Sequence, residues 1–362
     1  MAQHYVSLLF LFFTFTFTCS MAAKMVPAVF VFGDSLVDVG NNNYLTLSIA
    51  KANFPHNGVD FPGKKATGRF SNGRNAADFL AEKLGLPSSP PYLSLTSASN
   101  NSNAFLGGVS FASGGARILD PTDSLFKQSI HLSKQVEYYA TVYANLVEQL
   151  GTVEAQKYFS KSLYAIVIGG NDILKYFGAS DVQPKSTTPQ ELVDSMTLMM
   201  TGYLKRLYNL GARKFLVVGI PAVGCCPFQR NQNKTGGGCK EESNYWCNKY
   251  NEGAKSMLQA MKTEFKDINY AFSDSYNILL NFIQKPANYG FTEVKAACCG
   301  LGNLNADVPC SPISQYCPKR TDHVFWDLFH PTEATVKIFI DTIFDGSQPY
   351  VSPVNVRQLV AL

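Results

Sequence analysis

The chain has 362 residues, of which 46% are hydrophobic and 16% charged, a composition typical of a globular protein and not of a disordered one. Its formal net charge is +4, and the basic residues form no continuous run, which argues against nucleic acid as a partner. A loose attraction to acidic cell-wall polymers is compatible with this charge.

The first residues predict a secretory signal peptide. Residues 6–18 are apolar or hydroxylic, and this run is shorter than the ~20 residues that a spanning helix needs. Small residues at Ser20, Ala22 and Ala23 offer a cleavage point, so we expect a signal peptide at 1–22 and a single domain at 23–362. The alternative is an uncleaved anchor. No later stretch is apolar and long enough to cross a bilayer, so no transmembrane segment is expected in the mature protein.

A wholly apolar run at 28–32 predicts a strand that is buried on both faces. It breaks at Gly33, where the chain can turn sharply, and Ser35 follows two residues later. The end of a buried strand is a good place to present a nucleophilic hydroxyl. In the alternative interpretation, Asp34 or Ser35 only caps the next helix.

Strands and helices alternate along the rest of the chain. The hydrophobic pattern predicts helices near 75–84, 130–150, 152–160, 190–210, 240–266 and 332–344, the last of the chain, and strands near 105–116, 163–168, 214–219 and 268–272. This alternation predicts an α/β fold, a three-layer α/β/α sandwich with a mainly parallel central sheet. In such a sheet the functional site lies beyond the carboxyl ends of the strands, where Ser35, Gly114 and Asn171 fall.

Near the end of the chain, Asp327 and His330 are three residues apart, so one helical turn would place both on the same face. A nucleophilic serine needs a base, and the base needs a group that fixes its tautomer. Asp327 is suited to orient His330, and His330 to deprotonate Ser35. Pro331 suits the first turn of a following helix. A solvated Asp–His turn is the alternative interpretation of the pair.

The sequence resembles the plant GDSL-type esterase/lipases, within the wider SGNH hydrolase family. The resemblance rests on motifs that occur in the family's order: FGDSLVDVGNNN at 32–43, GRFSNGRNAADFLAEKLGLP at 68–87, GVSFASGGAR at 108–117, IGGND at 168–172, GIPAVGCCP at 219–227 and VFWDLFHPTEA at 324–334. It implies the flavodoxin-like SGNH hydrolase fold and secretion to the apoplast or cell wall. It also implies a hydrolase with no cofactor and no metal.

The resemblance assigns catalytic roles to Ser35, Asp327 and His330. It assigns the oxyanion hole to the N–H groups of Ser35 and Gly114 and to the side chain of Asn171, although the adjacent Gly115 can take the place of Gly114. Two positions depart from the family pattern, which usually has asparagine where this chain has Ser110 and glycine where it has Arg117. We expect these two to alter packing or the cleft rim.

Nine cysteines are present, and Cys19 belongs to the predicted signal peptide. An even number in a secreted chain favours disulfides, and zinc binding at 298–317 is the competing interpretation. Cys226 and Cys247 look additional to the family pattern, and we hypothesise that they bond to each other. The sequons at Asn100 and Asn233 predict glycosylation on exposed loops.

These observations predict a secreted serine esterase/lipase that hydrolyses acyl esters through an acyl-enzyme. A short-chain esterase is favoured over an interfacial lipase, because no insertion is evident that would form a lid. An acyltransferase with the same residues and an alcohol acceptor is the first alternative. A catalytically silent protein that binds cell wall or lipid is the second. A dinucleotide enzyme is disfavoured, because no GxGxxG follows a strand. The sequence leaves the oligomeric state open.

Overall fold

The computed structural model describes residues 23–96, 103–120, 129–178, 187–233 and 237–362. The predicted signal peptide and Asn100 lie outside these ranges. The strands in the described ranges are β1 (Val29–Gly33), β2 (Leu163–Val167), β3 (Lys214–Val218), β4 (Asn269–Ser273), β5 (Glu293–Ala297), β6 (Cys299–Gly300), β7 (Gln315–Tyr316), β8 (His323–Phe325) and β9 (Val351–Ser352).

The helices in the same ranges are α1 (Ala76–Lys83), α2 (Tyr92–Thr96), α3 (Leu132–Leu150), α4 (Thr152–Lys161), α5 (Gly170–Gly178), α6 (Pro189–Asn209), α7 (Pro227–Gln232), α8 (Glu241–Glu264), α9 (Ser275–Gln284), α10 (Glu333–Asp345) and α11 (Val356–Ala361). Within the described ranges, none of these helices combines the length and the apolar character that crossing a membrane requires.

The central sheet has the order β1-β2-β3-β4-β9, in which β1 to β4 run parallel and β9 is antiparallel. The predicted strand near 105–116 is a short extended segment beside β1. There Val31 donates to the carbonyl of Val109 at 2.9 Å, and Phe111 donates to the carbonyl of Val31 at 2.8 Å. The parallel strands place their carboxyl ends at one edge of the sheet, which is where Ser35 follows β1.

Helices cover both faces of the sheet. Because successive side chains of a strand point to opposite faces, Phe30 and Phe32 join one apolar cluster while Val29 and Val31 join the other. The first cluster takes its helical residues from α2, α3, α4, α5, α6 and α8, and the second takes them from α1, α9, α10 and α11. The predicted three-layer α/β/α sandwich is confirmed.

Three features of the predicted helices differ from the structure. The predicted last helix is α10, but α11 follows it and buries Val356, Leu359 and Val360 in the second cluster. Pro331 is not in the first turn of α10: it bridges to Phe325, and Thr332 caps the helix instead. Helix α5 was not predicted, because its glycines were interpreted as the end of a strand.

Three disulfides join Cys225 to Cys239, Cys298 to Cys317, and Cys299 to Cys310. The last two use all four cysteines of the 298–317 segment, so no thiolate remains there for zinc. The hypothesis of a Cys226–Cys247 disulfide is wrong, since both residues are buried free thiols. Cys226 packs in the apolar cluster on one face of the sheet, and Cys247 packs in the cluster on the other face.

We expect both free thiols to resist alkylation in the native protein. Burial raises the pKa of Cys226 and of Cys247 to about 12, so neither presents a reactive thiolate to solvent. Iodoacetamide should add nothing to the folded chain at pH 8, and it should modify both cysteines in guanidinium without reductant. Intact mass and peptide mapping measure this. An unmodified pair under denaturing conditions would contradict the structure and restore the disulfide.

Candidate active site

Ser35 lies two residues beyond β1, in a turn that depends on the close approach of Gly33 to β2. A side chain at Gly33 would place its Cβ 2.4 Å from Val37 and 2.5 Å from the carbonyl oxygen of Val167. The next residue, Asp34, donates its N–H to that same carbonyl at 3.1 Å. The glycine therefore lets the chain leave the sheet tightly packed against its neighbour, with Ser35 at the strand end.

A buried glutamine fixes this turn. Gln135 of α3 accepts the N–H of Gly33 at 2.8 Å and donates to the carbonyl of Gly33 at 2.8 Å and to that of Ile130 at 2.7 Å. The sequence analysis missed Gln135 as a positioning residue. The sequence feature that could have revealed it is its position: Gln135 is a polar residue on the apolar face of α3, next to Val136 and one turn before Tyr139.

Asp327 and His330 meet Ser35 across 295 positions of sequence. His330 Nε2 lies 2.7 Å from Ser35 Oγ, and His330 Nδ1 lies 2.7 and 2.8 Å from the two carboxylate oxygens of Asp327. The pair sits in a turn between β8 and α10 and not on a helix. That turn is closed by the N–H groups of Phe329 and His330, which donate to Asp327 Oδ1 at 3.0 and 2.9 Å.

The disulfide-bonded segment supports this turn. Cys298 donates to the carbonyl of Phe325 at 3.0 Å, Cys299 donates to that of Trp326 at 2.7 Å, and Trp326 donates to that of His330 at 2.7 Å. The disulfides of the 298–317 segment therefore stabilise the loop that carries Asp327 and His330.

Asp327 is held as a carboxylate. Burial alone would raise its pKa, but the charge interaction with His330 and the hydrogen bonds from His330 and Phe329 outweigh burial, so the pKa is lowered. Asp34, next to Ser35, behaves differently. Burial raises the pKa of Asp34 to about 7, against the opposing effects of the Leu36 N–H and of His330.

We expect Asp34→Asn to change how stability depends on pH. A raised pKa means that the folded protein keeps the proton between about pH 4 and 7 while the unfolded chain releases it. Wild type therefore loses up to about 4 kcal/mol of unfolding free energy as the pH rises through this window, and the neutral amide loses none. The melting temperature of the variant relative to wild type should rise from pH 4.5 to 8.5. A constant difference across that range would refute the assignment.

Of the two adjacent glycines, the structure favours Gly115 as an N–H donor facing the cleft. The N–H of Gly114, the donor first predicted, is occupied, since it donates to Asp38 Oδ2 at 2.9 Å. Gly115 lines the cleft and has a φ of +79°, which favours glycine. Among the described residues, neither the N–H of Gly115 nor that of Ser35 has an acceptor.

Asn171 lies at the start of α5 and lines the same cleft. Its Nδ2 donates to the carbonyl of Ala116 at 3.0 Å, which fixes the amide and leaves its second hydrogen available. Asp172 has a structural position: its carboxylate accepts the N–H groups of Ile118 and Leu119 at 3.0 and 3.1 Å. Burial raises the pKa of Asp172 to about 6, against the effect of these two bonds.

Three polar residues after Ser35 hold in place the loop that carries Gly114 and Gly115. Asp38 accepts the N–H groups of Gly40, Asn41 and Gly114, and burial raises its pKa to about 6. Asn41 donates to the carbonyls of Ser110 and Ala112, and Asn42 donates to that of Gly114. The sequence analysis missed the role of the two asparagines. The sequence feature that could have revealed this role is the run of three asparagines at 41–43, whose side-chain amides can donate to backbone carbonyls.

The cleft at these residues has a volume of about 980 Å³. Ser35 and His330 line it, together with apolar side chains on several loops: Ile49, Phe54, Phe70, Leu174, Ile220, Val223, Phe228, Leu328 and Phe329. The ring of Phe70 lies 5.0 Å from that of His330 and limits how the imidazole can turn. The cleft therefore offers an apolar wall beside the hydroxyl and the imidazole.

Two of the other histidines do not line this cleft. His56 packs its ring 4.7 Å from that of Tyr316. His323 has an acid of its own, with Nδ1 2.7 Å from Asp322 Oδ1. His131 does line the cleft and accepts the N–H of Arg117 at its Nδ1, at 3.1 Å. It precedes α3 as the N-cap residue.

Comparison with known proteins places the chain in a family. The family model for GDSL-like lipase/acylhydrolases matches residues 29–343. The chain belongs to this family. It is 47% identical to GDSL esterase/lipase At5g55050 of Arabidopsis thaliana over 93% of this chain and 90% of the relative. It is 35% identical to GDSL esterase/lipase LTL1 of the same plant, over 98% and 96% of the two chains. The predicted resemblance to the GDSL esterase/lipases is confirmed, and the protein is an enzyme of the carboxylic ester hydrolase class.

A block of the GDSL motif set, at 69–74, makes mainly structural contacts. Arg69 forms a buried bidentate ion pair with Asp78, with both N···O distances 2.7 Å. Asn72 accepts the N–H of Glu333 at 2.8 Å and so helps to cap α10, while Arg74 pairs with the carboxylate of Glu333 at 3.1 Å. The contacts of Asn72 and Arg74 with Glu333 join the segment after Ser35 to the helix after His330. They therefore help to hold the Ser35 region against the turn that carries His330.

Proposed function

We propose that this GDSL family member is a serine esterase in which Ser35 is the nucleophile, His330 the general base and Asp327 its orienting carboxylate. The observation that carries the proposal is the continuous contact from Ser35 Oγ to His330 Nε2 and from His330 Nδ1 to Asp327. In neutral His330 the hydrogen at Nδ1 faces Asp327, which leaves Nε2 free to accept the serine proton. The buried carboxylate then stabilises the imidazolium that forms.

The proposed reaction proceeds through an acyl-enzyme. Ser35 Oγ attacks the ester carbonyl as its proton passes to His330. The resulting oxyanion accepts hydrogen bonds from the N–H groups of Ser35 and Gly115 and from Asn171 Nδ2. His330 returns the proton to the leaving alcohol, the carbonyl re-forms, and the acyl group remains on Ser35. Water, deprotonated by His330, then attacks the acyl-enzyme and releases the acid.

We infer that the protein acts outside the cell, as one domain from residue 23 after removal of residues 1–22. Three disulfides support an oxidising compartment. Glycosylation of Asn100 and Asn233 remains part of this proposal. Asn233 Nδ2 donates to the carbonyls of Gly238 and Cys239, so a glycan there would replace one of its hydrogens.

The substrate we propose is a small-molecule, lipid or cell-wall acyl ester, with short acyl chains preferred over emulsified long ones.

The direct test is hydrolysis of 4-nitrophenyl acetate and butyrate by the purified, oxidised chain. We expect turnover of both and a smaller rate with a long-chain emulsion. Added glycerol tests the acceptor: free acid as the main product supports hydrolysis, while glyceryl ester as the main product would move the protein to the acyltransferases. No turnover of any ester, with the protein folded, would refute the esterase proposal.

Asn171→Ala should lower kcat by about 100- to 1,000-fold with little change in KM, because the lost N–H acts on the charge of the transition state. The variant also loses the bond to Ala116, so its folding needs a check by circular dichroism and thermal melting. Asn248→Ala, on the exposed side of α8, is the matched control and should keep wild-type kinetics. An effect confined to KM would remove Asn171 from the oxyanion hole.

A further inference from the structure

The charges that line the cleft are unbalanced. Lys51, Arg117 and Lys175 lie along it, whereas the acids that line it are Asp34 and Asp327, both close to Ser35 and His330. Asp327 is already engaged with His330, and burial raises the pKa of Asp34 to about 7, so its negative charge is reduced near neutral pH. Beyond the reacting groups, the cleft therefore presents positive charge.

Arg117 is the most firmly placed of the three cations. Its backbone N–H donates to His131 at 3.1 Å, and the preceding carbonyl, of Ala116, accepts the amide of Asn171 at 3.0 Å. The next two residues, Ile118 and Leu119, are bound to the buried carboxylate of Asp172. The backbone of Arg117 is thus fixed two residues after Gly115, beside the proposed oxyanion donors.

The guanidinium of Arg117 has no protein partner within the described residues. It forms neither an ion pair nor a side-chain hydrogen bond there, although it is half-buried. Asp172 is near enough for its pKa to be affected by Arg117, but the Asp172 carboxylate is occupied by two backbone N–H groups. Arg69 makes a useful contrast, since its guanidinium is fully engaged with Asp78 and neighbouring oxygens.

We propose, on the basis of the esterase function above, that the preferred substrates are acyl esters that carry an anionic group, and that Arg117 binds this group. A guanidinium offers paired N–H donors that match a carboxylate or a phosphate. Arg117 and Ser35 line the same cleft, so the cleft that receives the ester carbonyl would also receive this group. Lys51 and Lys175 contribute attraction at longer range, since neither forms an ion pair with a described residue.

Matched ester pairs test this proposal and locate the anion. The mono-4-nitrophenyl ester of glutaric acid and 4-nitrophenyl valerate have acyl chains of the same length, and only the first has a carboxylate. A second pair, 4-butyryloxybenzoate and its methyl ester, carries the charge on the alcohol side. We expect the anionic member of one pair to have a kcat/KM at least ~10-fold higher than the neutral member, as for a charge-assisted contact in a partly hydrated site. The pair that responds identifies the side.

The variants Arg117→Gln and Arg117→Lys assign the effect to its residue. The glutamine variant should reduce the ratio of anionic to neutral kcat/KM to about one, and the lysine variant should keep part of it. Arg206→Gln removes the same charge from the exposed surface of α6 and should leave the ratio unchanged. Raising the salt concentration from about 0.05 to 0.5 M should weaken the wild-type preference through screening. A wild-type ratio of one or less in both ester pairs, or a preference that survives Arg117→Gln, overturns the proposal.

A binding measurement separates this proposal from the esterase function. The matched amides, glutaric acid monoanilide and valeranilide, can be titrated calorimetrically into Ser35→Ala, which needs no turnover. Tighter binding of the anionic amide that is lost in Ser35→Ala/Arg117→Gln supports anion recognition even if the esters are not hydrolysed. Equal binding of the two amides, together with normal hydrolysis of neutral esters, refutes anion recognition and leaves the esterase function intact.

Discussion

Ser35→Ala should lower kcat for 4-nitrophenyl butyrate by about 10⁴- to 10⁶-fold, with the folded structure retained. The hydroxyl of Ser35 lies 2.7 Å from His330 Nε2, and alanine removes it without adding volume. The residual rate should come from substrate binding and the remaining oxyanion donors. Initial rates and circular dichroism of wild type and variant, purified in parallel, measure both properties.

A covalent probe gives the same prediction a second readout. A fluorophosphonate should label wild type at the peptide containing Ser35, because only an activated serine attacks phosphorus quickly. It should fail to label Ser35→Ala. Ser256→Ala, on the exposed face of α8, is the control and should retain both rate and labelling. Equal rates for wild type and Ser35→Ala would remove Ser35 as the nucleophile.

The layered fold was predictable because the parallel strands are short, apolar and separated by strongly periodic helices. Strand β2 is apolar along its whole length, and every residue of it is buried. Helix α6 combines a capping box at Thr188 and Glu191 with a proline in its first turn, and these are local signals. Such elements need no knowledge of their partners, so composition and spacing were sufficient.

Some of the features that were missed depend on distant contacts. Helix α11 has six residues and is stabilised by packing Val356, Leu359 and Val360 into a cluster formed by other elements. Cys226 and Cys247 are two cysteines in a chain that we propose is secreted, but whether they can pair depends on which face of the sheet each one occupies. Sequence spacing carries neither kind of information, because both are set by tertiary packing.

The site also combines residues that local sequence predicts with residues whose roles depend on distant contacts. Ser35, Asp327 and His330 were predicted from residue type and motif, and the structure brings all three together. The choice between Gly114 and Gly115 as the proposed oxyanion donor depends on the direction of each N–H group, and the hydrogen bond from Gly114 to Asp38 supports Gly115. Gln135 was missed for a related reason. Its function depends on an amide that reaches another element 102 positions away.

Asp327→Asn should leave the fold nearly unchanged and lower kcat by about 10⁴-fold near neutral pH. Asparagine keeps an oxygen for the N–H groups of Phe329 and His330, so the turn between β8 and α10 should persist. The amide N–H₂, however, would face His330 Nδ1 and favour the tautomer with its hydrogen on Nε2. That tautomer cannot accept the Ser35 proton, and the imidazolium would lose its buried counter-charge.

The chain offers a matched control for this variant in its second Asp–His pair. Asp322 Oδ1 contacts His323 Nδ1 at 2.7 Å, the same distance as the shorter Asp327–His330 contact, but neither residue lines the cleft. Asp322→Asn should therefore change kcat by less than about twofold, since it disturbs a similar contact without touching the reacting groups. If the two variants lost activity equally, the loss would reflect damage to the C-terminal loops. An Asp327→Asn protein with more than a tenth of wild-type kcat would show that His330 needs no orienting carboxylate.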